Sequence, residues 1–256
     1  MNVLLTRMLS KADPSEVPGL SRFFKTGPGQ YGEGDKFLGI KVPVTRAVVK
    51  ECWRSVSFQD LEECITSPYH EVRLAALLAL VEVFSHAGKR PPVKSGVTER
   101  AQVVTVAEHG MTKQQCIDFY LSHTAWINNW DLVDLSCYPL LGQWLLDKED
   151  RSLLYDLARN GRTIWEQRIG IVSTMTFIRH GQLKDTFQIA DILLHHPHDL
   201  MHKAVGWMLR EMGKRVSMDL LRDFLHQHAY EMPRTALRYS IEKMDESERK
   251  YWMSIR

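Results

Sequence analysis

The chain has 256 residues, of which 44% are hydrophobic and 25% are charged, and its formal net charge at pH 7 is only +2. This length suits one large domain or one solenoid with a sizeable core, and the near-neutral charge excludes a strongly basic tail. No apolar run approaches the ~18 residues of a membrane span, and the first residues lack a secretory signal pattern. We therefore predict a cytoplasmic protein without membrane association, folded as a single domain over residues 1–256.

The first distinctive stretch is rich in glycine and runs from Gly27 to Pro43. It lacks the Gly-Lys-Ser/Thr ending with which a P-loop holds phosphate and magnesium. We predict a surface loop that leads into a helix starting at Pro43, because proline is favoured in the first turn of a helix.

Capped helical patterns follow along the chain. Ser57 and Thr112 are predicted N-caps, and Asn160-Gly161 is a predicted helix end. The stretch from His86 to Thr98 contains two glycines and two prolines and indicates the longest loop. Alternating patterns typical of strands are absent, so the sequence predicts an all-α protein.

Four segments of the chain resemble one another. Each carries Arg or Lys at its third position and continues as a helix; the segments begin at Glu71, Glu166, Met201 and Met232. The third positions of the last three segments are 35 and 31 residues apart. A period in this range predicts stacked helix pairs, as in a HEAT-like or armadillo-type helical-repeat solenoid with a concave face.

The segment from Trp126 to Leu146 has the pattern of a buried helix but contains the motif Trp130-Asp131-Leu132-Val133-Asp134. Trp130 and Asp134 are spaced i and i+4, so both project from one helix face. A carboxylate in such apolar surroundings carries a desolvation cost unless it has a partner. Capping, ion pairing and chemistry can each explain it. Asp131 stands where the four repeated segments carry a base.

Positive charge is concentrated in one part of the chain. Residues 159–215 contain nine Lys and Arg residues against five Asp and Glu residues. Bases at the starts of successive helices suit a surface that follows a polyanion, because helix N-termini also attract phosphate. Pairing of these bases with acids of neighbouring repeats explains the same pattern, and it is the more common arrangement in solenoids.

Several kinds of chemistry have no support in the sequence. The cluster His195-His196-Pro197-His198 lacks acidic or thiol companions at ligand spacing, so no metal site is predicted. There is neither a Gly-x-Ser-x-Gly elbow nor a dinucleotide fingerprint, and we expect no cofactor. The four cysteines stand singly, which indicates reduced buried thiols. A carboxylate, aromatic rings and bases remain, and these residue types suit cleavage of a glycosidic bond in an anionic polymer.

Three passages carry a strong resemblance to a known family: Asn129 to Asp134, Trp165 to Arg168, and His202 to Glu211. Together with Phe37 to Arg46, they make the chain similar to the AlkD-type DNA glycosylases, an alkylation-repair family built on HEAT-like repeats. The resemblance covers roughly residues 37–244.

The resemblance implies roles for four residues. Asp134 matches the catalytic aspartate that stabilises the sugar cation and positions water, and Trp130 matches the tryptophan beside it. Trp207 matches a second aromatic residue against the deoxyribose of the lesion, and Arg168 an arginine that contacts the DNA backbone. Lys41 stands where a relative carries glutamine, so contacts from that loop are expected to differ.

The resemblance also implies the substrate and the reaction. Cationic N-alkylpurines such as 3-methyladenine and 7-methylguanine would be released from duplex DNA, leaving an abasic site, in base excision repair by a monomer at the bacterial nucleoid. The predicted DNA contacts are Arg168, Lys203, Lys41, Arg46, Arg210 and Lys214.

Two other functions fit the same helical-repeat pattern. One is a non-catalytic module that binds branched or damaged DNA without excision. The other is a solenoid that binds a partner helix or tail and shows no salt-sensitive binding to DNA.

Overall fold

The structure is a computed structural model that describes residues 1–87 and 111–255. Within these ranges every regular element is helical, and the only β-type pairing is an isolated bridge between Lys36 and Tyr69. The all-α, helical-repeat class predicted from the sequence is confirmed. Most of the loop predicted from His86 to Thr98 lies outside the described residues.

The chain divides into two compact units, Met1–Ser136 and Cys137–Arg256. That residues 1–256 fold as one domain stays a prediction. The helices that begin in the first unit are α1 (Val3–Leu9), α2 (Val17–Phe23), α3 (Val42–Cys52), α4 (Phe58–Ile65), α5 (His70–His86), α6 (Lys113–Ser122) and α7 (Trp130–Cys137).

The second unit contains a π-helical turn at Tyr138–Gly142 followed by nine helices. These are α8 (Gln143–Leu145), α9 (Ser152–Asn160), α10 (Ile164–Val172), α11 (Met175–Arg179), α12 (Lys184–Leu193), α13 (Asp199–Arg215), α14 (Met218–His228), α15 (Arg234–Ser240) and α16 (Glu246–Ser254). None of the helices within the described ranges is both long enough and apolar enough to cross a membrane.

Side-chain caps define where several helices begin. Ser57 and Thr112 each form a capping box, in which the hydroxyl accepts the backbone N–H of Asp60 or Gln115 and that residue's side chain accepts in return. Both predicted N-caps are therefore confirmed. Helix α9 ends at Asn160, before Gly161, as predicted, and α3 begins at Val42, one residue before the predicted start.

Helix α5 forms the centre of the first unit. It packs against α1, α3 and α4, and its continuous apolar run from Leu74 to Leu80 is buried on every side. A helix that is apolar all round is expected at the centre of a layered helical fold rather than at its surface. Its first turn nevertheless contains three buried polar residues, which are His70, Glu71 and Arg73.

Helix α13 has the corresponding position in the second unit. It packs against α10, α12, α14 and α15. Gly206 allows a close approach to α15, because a Cβ atom there would collide with the Ala236 carbonyl oxygen and lie 2.6 Å from the Cβ of Tyr239. Glycine is required at such a position because any larger side chain would separate the helices.

Three tryptophans and the four cysteines differ in their burial. Trp53 and Trp165 are buried, whereas Trp144 is half-buried beneath the ammonium group of Lys148. All four cysteines are buried free thiols, as expected. Burial raises the pKa of the Cys64 and Cys116 thiols to about 11.

Candidate active site

The first turn of α7 places Trp130 and Asp134 on one helix face. The Trp130 backbone N–H donates to Asn129 Oδ1 at 2.9 Å, and the Val133 N–H donates to the Asn129 carbonyl at 3.2 Å, which starts the helix. Trp130 and Asp134 are both half-buried, whereas Leu132 and Val133 are fully buried. The apolar residues between them therefore anchor α7, and the aromatic ring and the carboxylate remain partly accessible.

The Trp130 ring belongs to an aromatic cluster contributed by α2 and the loops around it. It stacks on Phe24 with ring centroids 5.6 Å apart, and Phe23 meets it edge-on at 5.8 Å. Phe24 stacks in turn on Phe37 at 5.3 Å. Phe23 is 60% exposed although it touches two aromatic rings, so an apolar surface lies next to Trp130.

The two carboxylates of the motif have different environments. Asp131 is only 3% exposed, and its Oδ2 lies 2.9 Å from His70 Nε2. His70 Nδ1 lies 2.9 Å from Asp35 Oδ2 on its other side. Asp131 therefore serves an internal ion pair, which explains an acid at the position where the repeated segments carry a base. Asp134 is the carboxylate of the motif that keeps partial access to solvent.

The ion pair extends through Asp35 to Arg73. The Arg73 guanidinium pairs with Asp35 and donates to the Ser67 carbonyl at 2.9 Å and to Asn128 Oδ1 at 3.0 Å. Burial would raise the pKa of Asp35, but the hydrogen bond from His70 and the charge of Arg73 outweigh burial and lower it. Arg73 carries the third-position base of the first repeated segment, so at that position the alternative of internal pairing is observed.

Burial lowers the pKa of His70, whereas its two carboxylate partners raise it. Burial disfavours the charged imidazole, but the hydrogen bonds with Asp131 and Asp35 outweigh it and raise the pKa of His70 to about 9. The ring also lies 4.6 Å from the Phe24 ring and 4.9 Å from the Phe37 ring. His70 thus connects the aromatic cluster to the first turn of α7.

Glu71 organises the loop that precedes α3. Its carboxylate accepts the backbone N–H groups of Leu38, Gly39 and Ile40 at 2.9, 2.9 and 3.0 Å. Gly39 has a positive φ of 87°, and a Cβ atom there would collide with the Asp13 carbonyl. Because the loop is held in this way, the residue that follows it, Lys41, has a defined position at the start of α3.

The two predicted DNA contacts near this loop are both exposed. Lys41 is 62% exposed and pairs with Glu16 at 2.7 Å, and Arg46 lies one turn further along α3. The bond to Glu16 raises the pKa of Lys41. An exposed pair of this kind is weak, so Lys41 can exchange Glu16 for another anion at small cost.

The second unit contains the other predicted site residues, and α13 carries four of them on one face. Lys203, Trp207, Arg210 and Lys214 are spaced by four, three and four residues, so they form a single stripe. Trp207 is half-buried and Lys214 is exposed. Each of the two bases nearest Trp207 has an acidic partner: Lys203 pairs with Asp199 at 2.8 Å, and Arg210 with Glu242 and Glu211.

Arg168 differs from the α13 bases because it lies inside the unit. It is 6% exposed, and its Nη1 donates to the Leu200 carbonyl at 2.6 Å. Leu200 is the second residue of α13, so Arg168 on α10 stabilises the start of α13. Contact between Arg168 and a DNA phosphate stays a prediction.

Sequence reasoning missed His70, Asp35 and Glu71. The signal that could have found them is the acid at position 131, which replaces a base of the repeat and so requires a cationic partner elsewhere in the fold. Within the two described ranges no group of three or more His, Cys, Asp or Glu side chains is arranged to hold a metal ion.

This arrangement belongs to a helical-repeat protein in which a carboxylate and an indole share one partly open face of a helix. The sequence matches the family model of the DNA alkylation repair enzymes over residues 4–244. The chain therefore belongs to the DNA alkylation repair enzyme family.

A solved structure has a similar fold. It is described as a predicted DNA alkylation repair enzyme from Enterococcus faecalis, and it superimposes with a TM-score of 0.63 at 13% sequence identity, covering 92% of this chain and 97% of that one. At this identity the likeness concerns the fold alone. Among curated proteins no sequence matches this chain significantly.

Proposed function

We propose that this protein is a DNA glycosylase that excises cationic N-alkylated purines, such as 3-methyladenine and 7-methylguanine, from duplex DNA. The supporting observation is the difference in burial between the two carboxylates of α7. Asp131 is buried against His70, whereas Asp134 remains partly accessible on the same face as Trp130. The role of the family in alkylation repair supports the same proposal.

The reaction requires little acid catalysis. Alkylation at a ring nitrogen makes the purine positive, so cleavage of the N-glycosidic bond releases a neutral base and leaves the positive charge on the deoxyribose. The Asp134 carboxylate and the electron-rich face of Trp130 suit stabilisation of that sugar cation. Water then adds to the anomeric carbon and loses a proton, which leaves an abasic site.

The face of α13 suits contact with DNA. Trp207 would supply a second aromatic ring, and Lys203, Arg210 and Lys214 would neutralise phosphates along the stripe. Lys41 and Arg46, at the start of α3, would contact the DNA backbone.

The test compares the wild-type protein with Asp134→Asn on methylated duplex DNA. We expect Asn at this position to lower the excision rate by about 10²–10³-fold, because the amide keeps the shape but removes the negative charge opposite the sugar cation. Free methylpurines are measured by chromatography and abasic sites by alkaline cleavage. Duplex affinity, measured by fluorescence anisotropy, should remain within about threefold of wild type, since the lost charge is anionic.

Asp118→Asn is the matched control, because Asp118 is an exposed carboxylate on α6 in the same unit. It should leave excision unchanged. Excision by Asp134→Asn at the wild-type rate would remove Asp134 from the mechanism. Duplex binding by a wild-type protein that releases no base would indicate a non-catalytic DNA-binding module instead, and the absence of salt-sensitive binding a protein-interaction solenoid.

A further inference from the structure

The excision chemistry leaves one buried charged cluster without a role. It consists of Asp35, His70, Arg73 and Asp131, and it joins three separate parts of the chain: the loop before α3, the start of α5 and the first turn of α7. The side chains of all four residues are at most 4% exposed. Charged groups this deep are costly to bury, and removing one member leaves the others uncompensated.

The hydrogen bonds identify the protonation state of His70. Both ring nitrogens lie 2.9 Å from carboxylate oxygens, which only accept hydrogen bonds. A neutral imidazole has one N–H, so it can serve only one of the two carboxylates, whereas the imidazolium serves both. The raised pKa agrees with this geometry. With His70 and Arg73 positive and the two aspartates negative, the cluster is neutral as a whole.

His70 reaches the candidate active site by two routes. The first passes through Asp131, which follows Trp130 directly and precedes Asp134 by less than one helical turn. The second passes through the Phe24 ring, which lies between the rings of His70 and Trp130. Movement of the imidazole would therefore be transmitted both to the helix backbone that carries Asp134 and to the face of the indole.

We propose that His70 is a positioning residue for excision, and that by bridging Asp35 and Asp131 it holds the first turn of α7 so that Trp130 and Asp134 face the deoxyribose. This inference rests on the proposed glycosylase activity. His70 itself would touch neither the DNA nor the water. Misplacement of reacting groups by about 1 Å can lower a rate by about 10²-fold, so a residue of this kind can have a large effect on catalysis.

His70 can bridge the two aspartates only while its imidazole is protonated, so the positioning role depends on pH. The charged groups that contact His70 are Asp35 from the loop before α3 and Asp131 from α7. The buried Arg73 and Glu71 lie on its own helix, where Arg73 pairs with Asp35 and Glu71 binds the amides of the loop before α3. Below a pH of about 9 the imidazolium holds both aspartates. As the pH rises through that value the proton is lost, one of the two bonds is broken, and the buried cluster gains a net negative charge. We therefore expect excision to decline on the alkaline side.

The experiment uses the full-length protein in three variants. His70→Gln removes the charge and one of the two bonds, and Asp131→Asn keeps the shape of the partner but removes its charge. His123→Gln is the matched control, because His123 pairs with a single carboxylate, Glu62, and neither bonds to α7. Initial excision rates are measured from pH 6 to 9.5, after subtraction of spontaneous depurination of the same DNA.

A second readout does not depend on excision. The indole N–H signal of Trp130 is followed by ¹H–¹⁵N NMR over the same pH range and is assigned by its absence from Trp130→Phe. In the wild-type protein it should shift with a midpoint near the pH at which excision declines. Asp131→Asn should move both midpoints to lower pH, since the imidazolium loses a negative neighbour.

His70→Gln should lower excision by about 10–100-fold at pH 7, abolish the pH-dependent shift of the indole signal, and leave duplex affinity within about threefold. The control variant should behave as wild type in every measurement. The positioning role is overturned if the Trp130 signal does not titrate in the wild-type protein, or if Asp131→Asn leaves the alkaline midpoints where they were.

The two proposals fail in different ways. A wild-type protein that releases no alkylpurine would disprove the proposed glycosylase activity. The NMR titration would still show whether His70 controls the position of Trp130. If His70→Gln does not fold, the positioning role is still tested by the pH titration of the Trp130 signal in the wild-type protein and by the shift of its midpoint in Asp131→Asn.

Discussion

Asp131 and Asp134 are identical side chains on one helix that differ in their burial. Asp131 accepts from a buried imidazolium, so its charge is neutralised within the protein. Asp134 lies one turn after Trp130 and keeps partial solvent access. Asp131 projects from α7 toward the start of α5, where His70 lies.

We predict that His70 makes the stability of the protein depend on pH. Its pKa is about 9 in the folded chain and 6.5 in the absence of burial and partners. The stabilisation is complete below pH 6.5 and is lost as the pH rises through about 9. A shift of this size corresponds to a free energy on the order of a few kcal/mol.

Urea unfolding at pH 6 and at pH 9.5 measures this effect. The wild-type protein should lose free energy of unfolding between the two values, and His70→Gln should be less stable at pH 6 but lose much less on going to pH 9.5. A variant with the same pH dependence as wild type would show that another group titrates in this window. His123→Gln again provides the comparison.

Helix α13 combines a tightly packed face with a partly accessible one. Gly206 permits the close approach to α15, and the neighbouring Trp207 belongs to the stripe with Lys203, Arg210 and Lys214. The orientation of that stripe therefore depends on how closely α13 packs against α15.

We predict that Gly206→Ala destabilises the protein by about 1–3 kcal/mol, because the added methyl group would overlap the Ala236 carbonyl and the Cβ of Tyr239. Excision should fall together with stability, since Trp207 moves with the helix. The free energy of unfolding in urea is the measurement. Gly19→Ala on α2 is the control, because a Cβ atom there meets no atom within 4 Å and alanine is the better helix former. Equal stability of Gly206→Ala and wild type would mean that the two helices separate without cost.

The near-neutral net charge of the chain conceals a local excess of positive charge. The net charge is only +2, yet residues 159–215 carry a surplus of bases, and α13 displays three of them on one face. Binding to DNA through such a face releases counterions from the duplex and is therefore sensitive to salt.

We predict that Lys214→Ala lowers the slope of log affinity against log salt by about 1, because one phosphate contact is lost. Lys250→Ala, an exposed base on α16 that pairs with Glu246, is the control and should leave the slope unchanged. Fluorescence anisotropy with a short duplex between 50 and 200 mM salt gives both slopes, at the concentrations over which such effects are marked. Equal slopes for Lys214→Ala and the wild-type protein would exclude this residue from the interface.

The dependence of duplex affinity on salt concentration also distinguishes two roles for Arg168. The family resemblance implies a contact with the DNA backbone, and loss of that contact would also reduce the slope of log affinity against log salt. The buried bond to the Leu200 carbonyl implies a role in placing the start of α13, and its loss would weaken binding at every salt concentration equally.

Much of this protein follows from short-range pattern. The helical class, the Ser57 and Thr112 caps, the repeat of about 30 to 35 residues and the shared face of Trp130 and Asp134 depend on residues close together in the chain, where helix geometry alone sets the spacing. The burial of Asp131 in an ion pair depends on the tertiary structure, because its partner His70 lies 61 residues away in the sequence. The tertiary structure also buried Arg168 and joined Glu71 to the loop before α3. Partners this far apart in the sequence are selected by the packing of helix faces, and a linear pattern does not contain that information.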